Sequence, residues 1–334
     1  MGTDEILLRT ISELAANGYE NIKSNLTYYT NLDTAIKIIK NKEIWMRKIS
    51  LMNDYSEFLY GENIVKEIIN RKLTNKLEMV LKHLNLEKKD FYEAFEKALL
   101  LKKQVYILSL TMESENEKDD GRLSMWRAYG NDIGVAFVFN NRALIDVFAS
   151  AVHDSCAKDD VLAFLFPITY GEKNKIEKDI ELMFDKVLSF SPEYICFSNT
   201  YELLNAVVNN LIFAMMIQKH PGFREEKEIR FWHGRLDEPS ENEDNRIIQI
   251  KDEALGGINQ RVAVIKFDKL FYTNKETLDG MWSTLFEKII IGPMQKEKGE
   301  ALLEVLYDKL KATDKTFNKE KIQLSGIPYR DSLK

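Results

Sequence analysis

Runs rich in Val, Ile, Phe and Tyr recur along this sequence, but helical segments do not alternate with them regularly. The runs are Leu26–Thr30, Glu43–Lys48, Val105–Thr111, Val135–Phe139, Phe164–Tyr170, Glu226–Trp232, Ile247–Ile250, Val262–Phe267, Lys288–Ile291 and Ile322–Ser325. A strict βα repeat would demand a parallel, doubly wound sheet. Its absence predicts an α+β fold with a mixed, largely antiparallel sheet core and surrounding helices.

Helical periodicity fills the rest. Ile6, Leu7, Ile11, Leu14 and Ala15 mark an amphipathic segment over Glu5–Ile22. Thr30-x-x-Asp33 reads as a capping box opening a helix with Ala35, Ile36, Ile38 and Ile39. From Gly61 to Gln104 the sequence is charged and helical, and reads as an insertion between two sheet-forming parts. Ser198–Lys219 is rich in Leu, Val, Ile and Met, which predicts a central core helix. No linker separates these parts, so one elaborated domain over 1–334 is expected, with a helical insertion at 61–104.

The 334 residues carry a net charge of −6, which argues against a dedicated nucleic-acid binder, although a local basic cleft stays open. Two cysteines, Cys156 and Cys196, lie far apart, so a reducing compartment fits. The opening MGTDEILLRT lacks a basic segment before an apolar run, and no stretch is apolar enough to span a membrane. A cytoplasmic location is the expectation, with no membrane partner.

Familiar chemistry is missing from the text. There is no phosphate-binding G-x-x-x-x-G-K-[ST], no G-x-G-x-x-G and no G-x-S-x-G. None of His83, His153, His220 and His233 sits at metal-ligand spacing, so no metal is expected. What remains is a set of polar groups in apolar settings: Tyr28-Tyr29-Thr30, Asn53-Asp54-x-x-Glu57, Trp126-x-x-Tyr129-Gly130 and Glu226-x-Glu228-x-Arg230.

Taken in order, Tyr29-Thr30, Asn53-Asp54-x-x-Glu57, Ser109-x-Thr111, Trp126 to Gly130, Gly134 to Phe137, Glu226 to Arg230, Ile290 to Pro293 and Ser325 to Tyr329 resemble the bacterial family called domain of unknown function 2971 (DUF2971). The opening strand, capped helix and extended stretch are also similar to the start of ADP-ribosyltransferase folds. Those enzymes often carry His or Arg where this chain has Tyr28, and end on a strand bearing E-x-E. That second resemblance implies a split sheet and NAD as substrate. Glu228 would be the catalytic carboxylate, with Glu226 and Tyr28 assisting. Tyr29, Thr30, Trp126, Tyr129, Asp54 and Arg230 would line the NAD site.

The chemistry is coherent. Cleaving the nicotinamide–ribose bond creates positive charge on the sugar, which a neighbouring carboxylate stabilises. Each motif also has a plainer reading. Glu/Lys/Arg alternation can be a solvated strand face. Trp126 and Tyr129 can be packing residues. Asn53-Asp54 can shape a turn. The acidic stretches Glu113–Asp120 and Asp237–Asn245 read as solvated tips rather than lids. The leading expectation is an ADP-ribosyltransferase-like or NAD-consuming effector of phage defence or a toxin system, acting on an unknown acceptor. The alternative is a non-catalytic nucleotide- or protein-binding regulatory module.

Overall fold

A computed structural model describes residues 24–49, 55–101, 105–130, 133–156, 161–191, 195, 200–235, 246–255, 258–271 and 279–328. The amphipathic segment at 5–22 and the Asn53-Asp54 pair lie outside them. The chain forms two compact units. One comprises Ile49–Val105 and Phe166–Arg224; the other comprises Asn21–Lys48, Tyr106–Leu165 and Glu225–Lys334. Among the described residues, no helix is long and apolar enough to cross a membrane.

The second unit is built on the sheet. Strand β1 (Leu26–Asn31) is followed by helix α1 (Leu32–Asn41) and strand β2 (Glu43–Lys48). The first unit then contributes helices α2 (Tyr55–Glu67), α3 (Thr74–His83) and α4 (Lys88–Leu101). Within the helical text at 61–104, Ile64, Val65, Ile68, Ile69, Leu77 and Val80 form the buried stripe that periodicity predicts. Strand β3 (Val105–Met112), helix α5 (Leu123–Tyr129), strand β4 (Gly134–Phe139), helix α6 (Asn141–Cys156) and strand β5 (Val161–Pro167) follow. The first unit resumes with β6 (Thr169–Tyr170), α7 (Lys173–Leu188), α8 (Thr200–Met216) and β7 (Gln218–Lys219). Helix α8 is buried along most of its length, as its composition predicts.

The sheet is completed by β8 (Glu228–Arg235), β9 (Ile248–Leu255), β10 (Ile258–Lys266), β11 (Phe286–Ile291) and β12 (Ile322–Leu324). Short helices α9 (Phe267–Phe271) and α10 (Met281–Leu285) precede β11, and α11 (Lys296–Thr313) precedes β12. The ten strands run in the order β12-β11-β4-β1-β3-β2-β10-β9, with β8 paired to β3 and β5 to β8. Of the ladders with a defined register in this sheet, only β11–β12 is parallel. The mixed, largely antiparallel core is therefore as expected.

Strands β1 and β3 part early. They pair at Leu26↔Met112 and Thr27↔Thr111. Beyond that point β1 follows β4 from Thr27↔Val138 to Asn31↔Gly134, while β3 meets β2 at Arg47↔Ile107 and Lys48↔Tyr106. The helix that leaves β1 is capped one residue later than its sequence suggests. Asn31 Oδ1 accepts from the Thr34 N–H at 2.9 Å, and Thr30 stays in the strand, buried opposite Val135. The strand claims Thr30 because its ladder with β4 runs on to Asn31.

Trp126 is the hub of one face of the sheet. It is 6% exposed, meets Tyr29 edge-on at 4.8 Å, and packs with Met125, Ala136, Val138 and Ile290. Its indole N–H donates to the Asp120 carbonyl at 3.0 Å. Two glycines make room for the ring. A Cβ at Gly134 would lie 2.8 Å from Trp126 Cε3, and one at Gly121, whose φ is +71°, 2.7 Å from Cζ2. The spacing W-x-x-Y-G…G is thus explained by packing. Gly134→Ala is expected to destabilise the fold by about 1–3 kcal/mol, since the ring sits between backbone segments and overpacking has no outlet. Denaturant unfolding of the variant checks this; an unchanged midpoint contradicts it.

Candidate functional site

Alternation along a strand sends Tyr28 and Thr30 to one face of the sheet and Thr27 and Tyr29 to the other. Cross-strand pairing of Thr27 with Thr111 puts Ser109, Thr111 and Glu113 on the Tyr29 face. Leu108 and Leu110 point the opposite way, with Tyr28 and its partner Phe137. Glu113 lies just past β3, where its N–H donates to the Asn25 carbonyl and continues the ladder.

Strand β8 joins on the other edge of β3. The Met112 N–H donates to the Lys227 carbonyl at 3.0 Å. The last residue of β3 thus meets the residue before β8, and the two strands pair. Strand β8 must therefore run back along β3. Glu228 then lies beside Thr111 and Arg230 beside Ser109, on the Tyr29 face. The apolar residues agree. Phe231 stacks on Phe148 of α6 at 4.2 Å. Helix α6 touches α10, whose Trp282 stacks on Phe286, and Phe286 stacks on Phe137 of the other face.

The result is a floor of polar side chains on β1, β3 and β8: Thr27, Ser109, Thr111, Glu228 and Arg230, with Glu113 at its end. Glu228 and Arg230 are 4% and 5% exposed. The guanidinium grips both carboxylate oxygens, Nε to Oε1 at 2.6 Å and Nη2 to Oε2 at 3.0 Å. Such a fork fixes the carboxylate plane as well as its charge.

A second buried cation frames the floor. The Arg122 backbone N–H donates to Tyr29 Oη at 2.7 Å, and that hydroxyl donates to Glu113 Oε1 at 2.5 Å. The Arg122 side chain donates from Nε to Glu117 Oε1 at 2.8 Å and from Nη2 to Glu117 Oε2 at 2.7 Å. It also donates to the Met112 carbonyl at 2.9 Å and to the Glu225 carbonyl. Burial opposes the Arg122 charge, but Glu117 and Glu113 outweigh it and raise its pKa. Hydrogen bonds from Arg122 hold the Glu117 carboxyl well below the usual carboxylate range. Glu113 goes the other way. Burial pushes its carboxyl up, against the hydrogen bond from Tyr29 and the charge of Arg122. Burial and Glu113 together push the Tyr29 hydroxyl well above an ordinary phenol.

The residues expected at the site are distributed unevenly. Tyr29, Glu228 and Arg230 share the floor, and Trp126 packs beside Tyr29. Tyr28 and Thr30 occupy the opposite face, where burial raises the Tyr28 pKa and the Thr30 hydroxyl lowers it. Tyr129 is 39% exposed at the end of α5. Glu226 closes a 3-10 turn, Pro221–Glu226, and Lys227 takes a φ of +42°, so the strand begins only at Glu228. The E-x-E spacing thus does not carry Glu226 along the strand with Glu228. Asp54 lies outside the described residues. The acidic stretch read as a solvated tip is partly an interior element, with Glu113 3% exposed and Glu117 paired to Arg122. Sequence reasoning missed Thr27, Glu113, Glu117 and Arg122. The available signal was an arginine two residues beyond a run of carboxylates, just before the Trp126 helix. Among the described residues, no cluster of three His, Cys, Asp or Glu is placed to hold a metal ion.

Residues 125–231 match the family described as "Protein of unknown function (DUF2971)". The match supports the family resemblance over this segment, which carries Trp126, Tyr129, Glu228 and Arg230. No curated protein and no solved structure matches the chain.

The raised carboxyl of Glu113 has a measurable sign. The folded chain holds that proton more tightly than the unfolded chain, where Glu titrates near ~4.3. Its contribution to stability is complete below that value and is lost as pH rises through the folded-state pKa. Glu113→Gln cannot ionise, so its melting temperature should gain on the wild type as pH rises above about 4.3 and through the raised folded-state pKa. A difference that is constant or reversed across that range contradicts the burial argument.

Proposed function

We propose that this protein cleaves the nicotinamide–ribose bond of NAD, as an ADP-ribosyltransferase or NAD glycohydrolase. The observation that carries the reading is the gathering of Tyr29, Ser109, Thr111, Glu228 and Arg230, all from the family-like motifs, on one face of β1, β3 and β8, beside the point where β1 and β3 part. A buried carboxylate on a rigid strand, held in plane by a guanidinium, suits a reaction whose transition state carries positive charge on a sugar.

In this reading the glycosidic bond breaks with its electron pair leaving on nicotinamide. Glu228 stabilises the positive charge at the ribose C1 and accepts a ribose hydroxyl. Arg230 orients Glu228. The Thr111 hydroxyl, beside Glu228, is placed to hydrogen-bond the sugar, and Tyr29 bounds the floor on the β1 side. Consumption of NAD in this way would suit an effector in phage defence or a toxin system.

The test is calorimetric titration of NAD with nicotinamide release followed in parallel. Glu228→Gln keeps shape and removes charge. It should bind NAD and lose at least about 100-fold in turnover. Full turnover in that variant overturns the assignment. Absence of NAD binding by the wild type overturns the reading altogether, and makes the floor a binding surface for another nucleotide or a partner protein.

A further inference from the structure

Three atoms on the floor are buried without any hydrogen-bond partner: Thr27 Oγ1, Ser109 Oγ and Glu113 Oε2, of which the first and last are neighbours. Thr27 is 1% and Glu113 3% exposed. A buried hydroxyl and a buried carboxylate oxygen that lack a hydrogen bond each cost free energy unless something satisfies them. Thr27 is the cross-strand partner of Thr111, and Glu113 lies two residues beyond Thr111 on the same face. The two are diagonal neighbours, about 7–8 Å apart at Cα for such pairs. That separation suits one water between the side chains, accepting from one and donating to the other.

Glu228 is placed likewise. It lies beside Thr111 across β8, so Glu113 and Glu228 are also diagonal neighbours on one face. A carboxylate that activates a water beside a reacting sugar needs room for that water, which inverting glycosidases provide by setting their two carboxyl groups about 6.5–9.5 Å apart. The geometry points to Glu113 as the general base that delivers this water to the ribose, so that water is the acceptor and the protein is an NAD hydrolase. This rests on the NAD reading above. The step balances. The C1–N bond breaks and its electron pair leaves on nicotinamide. A lone pair of the water oxygen forms the C1–O bond, and the water proton passes to Glu113 Oε2 and then to solvent. The products are ADP-ribose, nicotinamide and a proton.

Several charged groups surround Glu113. Tyr29 of β1 donates to Oε1, and Arg122 Nη2 lies 3.9 Å from Oε2. Glu117 and Lys227 act on its charge with opposite signs, and the pairing of β8 with β3 sets Glu228 and Arg230 on the same face of the sheet. Burial is the largest influence and raises the carboxyl toward the working range of a base.

Steady-state release of nicotinamide and ADP-ribose, measured from about pH 5 to about pH 9, tests the assignment in wild type, Glu113→Gln, Thr27→Val and Glu228→Gln. The wild type should show an ascending limb above the ordinary carboxylate range. Glu113→Gln should still bind NAD, lose about 10²–10⁴-fold in kcat and lose that limb. Thr27→Val should lower kcat with the limb retained. If Glu113→Gln keeps wild-type kcat and its pH limb while Glu228→Gln is inactive, the base assignment falls and the NAD reading stands. If the wild type releases no nicotinamide, both fall.

Discussion

One buried guanidinium, that of Arg122, organises the polar end of the sheet. It binds the Glu117 carboxylate, the Met112 carbonyl at the end of β3 and the Glu225 carbonyl before β8, while its own N–H fixes the Tyr29 hydroxyl. An arginine has five donors in a rigid fork, and this one uses donors on all three nitrogens. Lysine could not reproduce the pattern, because it offers a single point charge. Through Arg122, the loop at 113–122, the tip of β3 and the turn into β8 become one object. The left-handed Lys227 is held within it. Glu228 is the next residue, so its position depends on the same clamp.

The far side of that loop is held just as firmly. The Ser325 hydroxyl donates to the Asp120 carbonyl, the Gly326 N–H to the Asp120 carboxylate, and the Trp126 indole to the same carbonyl. Lys288 pairs with Asp119. The C-terminal Ser-x-Ile-Pro motif and the Trp126 helix thus share one task. They seat the acidic loop over Tyr29 and Glu113. Elsewhere the sheet is held by a comparable device, Glu43 of β2, whose carboxylate accepts from Lys251 of β9 and Lys266 of β10.

Much of the fold was legible in the sequence because apolar periodicity reports burial directly. The runs at 105–111, 135–139 and 288–291 are strands, the run at 262–267 is strand as far as Lys266, and Thr200–Met216 is the buried helix its composition suggests. Local rules failed where longer-range pairing decided. Thr30 has the spacing of a cap, but its pairing with Val135 keeps it in β1 and leaves the cap to Asn31. Glu226 has the spacing of a strand residue, but the left-handed Lys227 breaks the alternation. Helix α6 was not among the expected elements, although Leu144, Val147, Phe148 and Ala151 recur at helical spacing and are buried along it. The site was half legible. Glu228 and Arg230 stand out by alternation, whereas Glu113 and Arg122 gain their meaning only from contacts over 84 and 103 residues of chain.

The chemistry proposed for this floor depends on one spatial claim, that the sugar of a nucleotide rests against Thr111, Glu228 and Glu113. A crystal structure of the protein with ADP-ribose bound tests it most directly. The account predicts ribose density on the Tyr29 face, with a hydroxyl on Glu228 and a water between Thr27 and Glu113. Density on the Tyr28 face, or ADP-ribose bound away from β3 and β8, would contradict it.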